Sequence, residues 1–306
     1  MDFLENEALG KSSEPTSGNL YIIGTPIGNL GDLSPRAKSI LQKVSLIACE
    51  DTRHSGQLLK KLGIKNNLIS FHKHNTQSRL PKLLKCLKEG QNIGLISDAG
   101  LPGISDPGEE LVKAAKEAGY SAICIPGPCA ITTALVSSGL PSQKFCFEGF
   151  LPSKTKDRNK ALSSIANEER TTVIYESPKK LIKLLEQLYE LCGEDRPVQV
   201  ARELTKKYEE HIGPTLGEVL KHFKENKPKG ECTIVLGGTE KYKKKIANQS
   251  QTELLKKMEA IIKTGASANF AAKQISNETK LSKRFLYELL HNKSNLDSQI
   301  DTKEAK

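Results

Sequence analysis

Ser97-Asp-Ala-Gly-Leu-Pro-Gly-Ile-Ser-Asp-Pro-Gly108 places three glycines, two prolines and two aspartates in twelve residues. Neither a helix nor a strand accepts that density of residues with special backbone geometry, so the stretch is a long loop. It follows the apolar run Ile93–Ser97 and leads into an amphipathic stretch, Gly108–Ala118. A loop of this kind at the carboxyl end of a strand is where open α/β sheets bind ligands. Asp98 is its candidate ligand contact, able to accept a hydrogen bond from an amine or a ribose hydroxyl. Asp106 reads instead as a helix cap, with Pro107 at the first helical position.

The pattern on either side repeats. Apolar runs at Leu20–Ile23, Ser45–Cys49, Leu68–Ser70 and Ser121–Ile125 alternate with helical periodicity over Pro35–Val44, Arg53–Leu62 and Thr76–Lys88. Short apolar runs separated by helices predict βαβ units and a largely parallel sheet. Gly63, Gly90 and Gly119 stand where left-handed helix caps are wanted. Gly139-Leu-Pro-Ser142 marks a boundary, after which a second, smaller α/β alternation runs to Gly237-Gly238. Its runs are Phe145–Phe150, Thr172–Tyr175, Val198–Ala201 and Thr233–Leu236. Its helices are Lys156–Asn167, Pro178–Cys192 and Thr215–Phe223, with Lys207–Ile212 read only as a polar stretch. The chain thus divides into a disordered leader (1–17), an N-terminal α/β domain (18–140), a second α/β domain (141–238) and a basic helical extension (239–306).

Two more glycine-proline loops follow strands. Gly24-Thr-Pro-Ile-Gly28-Asn-Leu-Gly31 comes after the first, and Pro126-Gly-Pro-Cys-Ala130 after the fifth. The first has neither the dinucleotide-binding glycine spacing nor a phosphate-binding P-loop pattern. Three such loops on one sheet predict a shared crevice.

The net charge is +10, and the segment from Thr239 onward holds 14 Lys and Arg against 8 acids. A basic balance suits a polyanionic partner without selecting one. The tail is read as helices near Thr252–Lys263, Ala268–Asn277 and Ser282–His291. The last two resemble a helix-turn-helix capped by Ser282, with Lys283 and Arg284 as candidate RNA contacts; the alternative is a small solvated cap. Seven cysteines, an odd number with no Cys-x-x-Cys pair, predict reduced thiols in a cytoplasmic protein and no metal site. No run is long enough to span a membrane, and the first seventeen residues do not read as a secretory signal.

Ionisable clusters end two further strands: Glu50-Asp-Thr-Arg53 and Arg202-Glu-Leu-Thr-Lys206. Such clusters suit substrate binding or proton transfer, though surface ion pairs look the same in sequence. His72 and His74 have no Ser or Cys partner at nucleophile spacing; His74 and Asn75 remain candidates for the cleft wall.

Eight ordered motifs then resemble one family: Thr25-Pro-Ile-Gly-Asn-Leu30, Cys49-Glu-Asp-Thr-Arg53, Ser97-Asp-Ala-Gly100, Ile104-Ser-Asp-Pro-Gly108, Pro126-Gly-Pro128, Gly149-Phe-Leu-Pro152, Tyr175-Glu-Ser-Pro178 and Ala201-Arg-Glu-Leu-Thr-Lys206. They are similar to the small-subunit ribosomal RNA cytidine 2′-O-methyltransferases, a branch of the tetrapyrrole methylase superfamily. The resemblance spans Gly18 to Gly238, and the tail is similar to the family's helix-turn-helix extension. It implies a two-domain α/β fold of the tetrapyrrole methylase type, S-adenosylmethionine in the cleft, and commonly a homodimer. By motif position it assigns cofactor contact to Pro26, Ile27, Asp98, Ala99, Gly100, Gly103, Cys129, Ala130, Tyr175 and Glu176. Cys129 departs from the more usual Ser or Thr, and Ala99-Gly-Leu101 replaces the Gly-Asp-Pro run of porphyrin-binding members.

The implied reaction is methylation of a cytidine ribose in 16S ribosomal RNA, in the decoding region of the small subunit. A 2′-hydroxyl needs alignment and somewhere for its proton to go. Glu50, Asp51, Glu203 and Lys206 are the candidate catalytic groups, with Arg53 and Arg202 holding phosphates. Two rivals stand beside this reading: a tetrapyrrole methyltransferase, and a non-catalytic RNA-binding assembly factor.

Overall fold

Tyr21 and Ile23 belong to the core on one face of a strand, Leu20 and Ile22 to the core on the other, and this division organises the first half of the chain. The computed structural model describes residues 18–239 and 253–279, together with 283, 286, 287, 289 and 290. Strands β1 (Leu20–Ile23), β2 (Leu46–Cys49), β3 (Leu68–Ser70), β4 (Ile93–Ile96) and β5 (Ala122–Ile125) form one sheet in the order β3-β2-β4-β1-β5. All its pairings are parallel. Helices α1 (Pro35–Lys43) and α2 (Thr52–Leu62) contribute Ile40, Leu41 and Leu59 to the core on one face. Helices α3 (Thr76–Lys88) and α4 (Glu109–Glu117) contribute Leu83, Leu87, Leu111 and Ala115 to the other. A parallel sheet covered on both faces explains why its strands read as continuous apolar runs.

Local chemistry fixes the ends. Ser34 accepts a hydrogen bond from the Ala37 N–H at 3.1 Å, and Pro35 opens α1. Asp51 caps α2 by accepting from the Arg53 N–H at 2.8 Å, and Gly63 ends that helix at φ 71°. Asp106, expected as the cap of α4, is not one. That helix starts from Gly108 at φ 149° with no side-chain cap. Positive φ at Gly103, Ser105 and Gly108 folds the loop back and takes Asp106 away from the helix end.

The second sheet has the order β6-β7-β10-β8-β9, from β6 (Phe145–Phe150), β7 (Thr171–Glu176), β8 (Val198–Arg202), β9 (Glu210–Ile212) and β10 (Cys232–Leu236). Only β6 and β7 are parallel; the other pairings are antiparallel. β9 emerges from the stretch read as merely polar, because a three-residue edge strand with Glu and His carries no apolar alternation. Helices α6 (Thr155–Asn167), α7 (Pro178–Cys192) and α8 (Leu216–Glu225) pack on one face of this sheet. The opposite face carries Val173, Ala201 and Val235, which pack against Ile27 and against Ile131, Ala134 and Leu135 of α5 (Ala130–Ser137). The two sheets are therefore joined by apolar contact, and the ligand-binding edge of the first faces the second.

The chain divides into two compact units, one through Gly237 and one from Gly238. In the second, residues 253–263 and Ala268–Thr279 are helical and share a core of Leu254, Met258, Ala271, Ala272, Ile275 and Leu286. Lys283 is exposed, whereas Ser282 and Arg284 lie outside the described residues. No helix among the described residues is long and apolar enough to cross a membrane.

Candidate active site

The loops after β4, β1 and β5 meet because those strands are neighbours in the sheet. Thr25 N–H donates to the Gly100 carbonyl at 2.9 Å and Gly100 N–H donates back to Thr25 at 3.1 Å. The Thr25 hydroxyl, fully buried, donates to the Ser97 carbonyl at 3.2 Å. Backbone-to-backbone bonds of this kind hold the loops in one arrangement before any ligand arrives.

Between these loops and the second sheet lies a cavity of about 420 Å³. Asp98, Ala99, Gly100, Cys129 and Ala130 line it from the first sheet's side, and Tyr175 and Glu176 from the end of β7. Sequence reading missed other parts of its wall: Leu101, Ile104 and Asp106 from the long loop, Phe150 at the end of β6, and Gly230 to Thr233 at the start of β10. Phe150, Ile104 and Asp106 carried a signal, since they lie inside the Gly149-Phe-Leu-Pro152 and Ile104-Ser-Asp-Pro-Gly108 motifs. Tyr175 stands between two rings, Phe147 at 5.0 Å and Phe150 at 5.5 Å between centroids. Glu176 is buried and accepts from the Ser177 N–H at 2.9 Å.

The cavity is electronegative. Burial first, and the nearby Glu50 carboxylate second, push Asp106 up to about 6. Burial and the Asp98 charge likewise raise Glu50 above the ordinary carboxylate range. Burial, with Cys129 and Asp106 nearby, holds the Tyr175 phenol protonated well above its usual range. Acids that resist ionising together in a partly apolar cavity favour a cationic ligand, which relieves their mutual repulsion.

A second bay of about 290 Å³ adjoins the cavity and shares Ile27, Asp98, Ala99 and Glu231 with it. Pro26 lines this bay rather than the cavity, as does Lys206. Lys206 donates to Glu203 and to Glu231, both at 2.8 Å. Partial burial opposes its charge, but those two carboxylates prevail and hold it above the ordinary lysine range. A Cβ on Gly28 would stand 2.5 Å from Lys206 Cγ, so the loop after β1 needs glycine to lie against the loop after β8.

The remaining expected residues sit elsewhere. Asp51 and Arg53 form an exposed pair at 2.8 Å beside the helix start. Arg202 donates to Glu210 at 2.8 Å and to the Lys229 carbonyl at 3.1 Å. Glu203, at φ 53°, also accepts from the Glu231 N–H at 3.0 Å. Gly103 supports the loop's fold from outside the cavity wall. His74 and Asn75 line neither space; the Asn75 side chain accepts from the His72 N–H and donates to the Ser70 carbonyl, closing a local turn.

A parallel sheet whose loops face a mixed sheet across an electronegative cavity defines a two-sheet α/β enzyme that binds a small ligand at the strand ends. The chain belongs to the tetrapyrrole (corrin/porphyrin) methylase family, whose sequence profile matches residues 19–220. It is 46% identical over 273 residues to the ribosomal RNA small subunit methyltransferase I of Synechocystis, covering 89% of this chain and 97% of that one. To the protein of the same name from Escherichia coli O157:H7 it is 50% identical over 230 residues, 74% of this chain and 80% of the relative. Among solved structures, uroporphyrin-III-C-methyltransferase from Thermus thermophilus superposes with a TM-score of 0.52 at 20% identity, over 72% of this chain and 94% of that one. That likeness establishes the fold.

Proposed function

We propose that this protein transfers a methyl group from S-adenosylmethionine to the 2′-hydroxyl of a cytidine in 16S ribosomal RNA of the small subunit. One observation carries the reading: an electronegative cavity and a lysine-bearing bay share a wall at Ile27, Asp98 and Ala99. An acceptor in the bay would therefore lie next to a donor in the cavity. The names of the relatives above favour ribosomal RNA as the acceptor.

The cavity's chemistry fits the donor. Asp98 and Asp106 present negative charge to a cation, Tyr175 and Phe150 offer ring faces, and the paired loops offer backbone groups. When bound, the donor supplies a sulfonium-activated methyl group. In the transfer a bond forms from the ribose oxygen to the methyl carbon, the carbon–sulfur bond breaks with its electron pair left on sulfur, and the hydroxyl proton departs. Glu50 is the proposed proton acceptor: it lines neither space but stands close enough to Asp98 to feel its charge, and among the described residues no ion pair commits it as one commits Asp51 and Glu203. Lys206, held by Glu203 and Glu231, fixes the wall of the bay rather than supplying it with free positive charge. Lys283, Arg284, Arg53 and Arg202 supply further phosphate contact in the same proposal.

Residence in the cytoplasm is supported by seven cysteines that are all free. Pairing of two copies is supported by exposed Val136 on α5 and Phe145 on the edge strand β6. The test is incubation with methyl-labelled S-adenosylmethionine and either small ribosomal subunits or uroporphyrinogen, followed by nucleoside mass spectrometry. Label in 2′-O-methylcytidine is the expected result. Label on the macrocycle alone, or RNA binding with no transfer, would replace this proposal with one of its rivals.

A further inference from the structure

The bay beside the cavity has its own constructed wall. His54, Gln57, Leu58 and Lys61 of α2 all line it, at helix spacings of three, four and seven from the first. That spacing brings them to one stripe of the helix, while Ser55 and Leu59 on another stripe are buried. Pro26, Ile27 and Leu30 of the loop after β1 add an apolar surface facing that stripe.

The stripe's chemistry is mixed in a particular way. Lys61 has no ion pair with any carboxylate among the described residues, although Lys206 in the same bay has two. An uncommitted cation at the rim of a concave site is available for an anionic group. Gln57 offers both a donor pair and an acceptor on one amide, which can match a base edge that itself presents a donor beside acceptors. Leu30, Ile27 and Pro26 offer a surface against which a flat ring can rest. The bay's volume, about 290 Å³, suits a single nucleotide rather than a paired or stacked strand.

We infer that this bay receives one nucleotide of the RNA, turned out of its stack, with Lys61 on its phosphate and Gln57 on the edge of its base. Its ribose is thereby delivered to the wall formed by Ile27 and Ala99, which the bay shares with the cavity. A base inside a helix could not enter a space this small, so extrusion is the entry step. The inference rests on the RNA methylation proposed above and deepens it: the Gln57 amide, a donor beside an acceptor, pairs with the Watson–Crick edge of the extruded pyrimidine and so anchors it in the bay.

The experiment uses the full chain and a small-subunit RNA fragment carrying the fluorescent analogue pyrrolocytidine at the methylated position. Wild-type protein should raise the fluorescence as the base unstacks. Lys61→Gln should raise KM for RNA about tenfold and lower the slope of log affinity against log salt by about one phosphate contact. Calorimetric affinity for S-adenosylmethionine should stay within about twofold, because Lys61 lines only the bay. Gln57→Leu should lower kcat/KM on the RNA about tenfold, the loss of about one base contact, with affinity for S-adenosylmethionine unchanged. No fluorescence change, an unaltered KM and salt slope in Lys61→Gln, or unaltered kcat/KM on RNA in Gln57→Leu would overturn the inference. A wild-type protein that labels no RNA would instead overturn the underlying methylation reading, so the two failures are distinguishable.

Discussion

Arg158 and Glu176 form an ion pair at 3.3 Å with side chains only 10% and 5% exposed, directly behind the cavity wall. Arg158 comes from α6 and Glu176 from the end of β7, so the pair ties a helix to the strand that carries Tyr175. Arg158 Nε also donates to Gln187 of α7 at 3.0 Å. Glu176 thus lines the cavity while its charge is already balanced from within the protein.

Replacing Arg158 with Met strands a buried carboxylate, which costs about 3 kcal/mol of stability. Denaturant unfolding should show that loss. The double variant with Glu176→Gln should recover part of it, because the unpaired charge is then gone. A single variant as stable as wild type would show that the pair contributes nothing.

Gly24 and Gly127 approach so closely that a Cβ on either would stand 2.9 Å from the other's Cα. Backbone cannot yield as a flexible side chain can, so Gly24→Ala or Gly127→Ala should part the loops after β1 and β5. We expect donor affinity to fall at least tenfold, with a melting temperature lower by several degrees. Unchanged calorimetric binding in both variants would contradict this.

Asp106 gives a pH signature. Its carboxyl is raised from 3.8 to about 6 in the fold, so the folded state keeps a proton that the unfolded chain releases. Stability from this group therefore falls as pH rises from about 4 to about 6. After discounting for solvent screening, Asp106→Asn should stabilise the protein by about 1 kcal/mol at pH 7 and by almost nothing at pH 4. It should also weaken binding of a cationic donor. Equal stabilisation at both pH values would mean the charge is not the cause.

Glu203 behaves in the opposite sense. The Lys206 hydrogen bond holds its carboxyl below 4.5, so its contribution is present above that pH and is lost as pH falls through the folded value. Lys206→Met should cost about 1 kcal/mol at pH 7, a figure discounted for exposure, and the difference should shrink as the pH falls through the lowered folded value. Turnover on RNA should fall with it, since the same cation lines the bay.

Most of the cavity was visible in the chain because its residues follow strands. Asp98, Ala99, Gly100, Cys129 and Ala130 occupy loops whose glycines and prolines announce themselves, and the alternation of runs places those loops at one sheet edge. An acid before Pro107 has the sequence signature of a cap, and only the positive φ at Ser105 and Gly108 reveals that the loop carrying Asp106 turns back. The stripe His54, Gln57, Lys61 has helical spacing in sequence, but a solvated helix face has the same spacing. Gly230 to Thr233 gave no local sign, since they reach the cavity through pairing of β10 with β7 and β8.

The parallel sheet, its succession of loops and helices, and the basic tail are legible in the order of residues alone, since periodicity, glycine and proline act over a few residues. Tertiary structure decided which acids are buried together and which cations are already paired: Lys206 has two carboxylates and Lys61 none among the described residues. Charge and desolvation depend on distance in space, and residues such as Glu203 and Glu231, which converge on one ammonium, are brought together only when the strands pair.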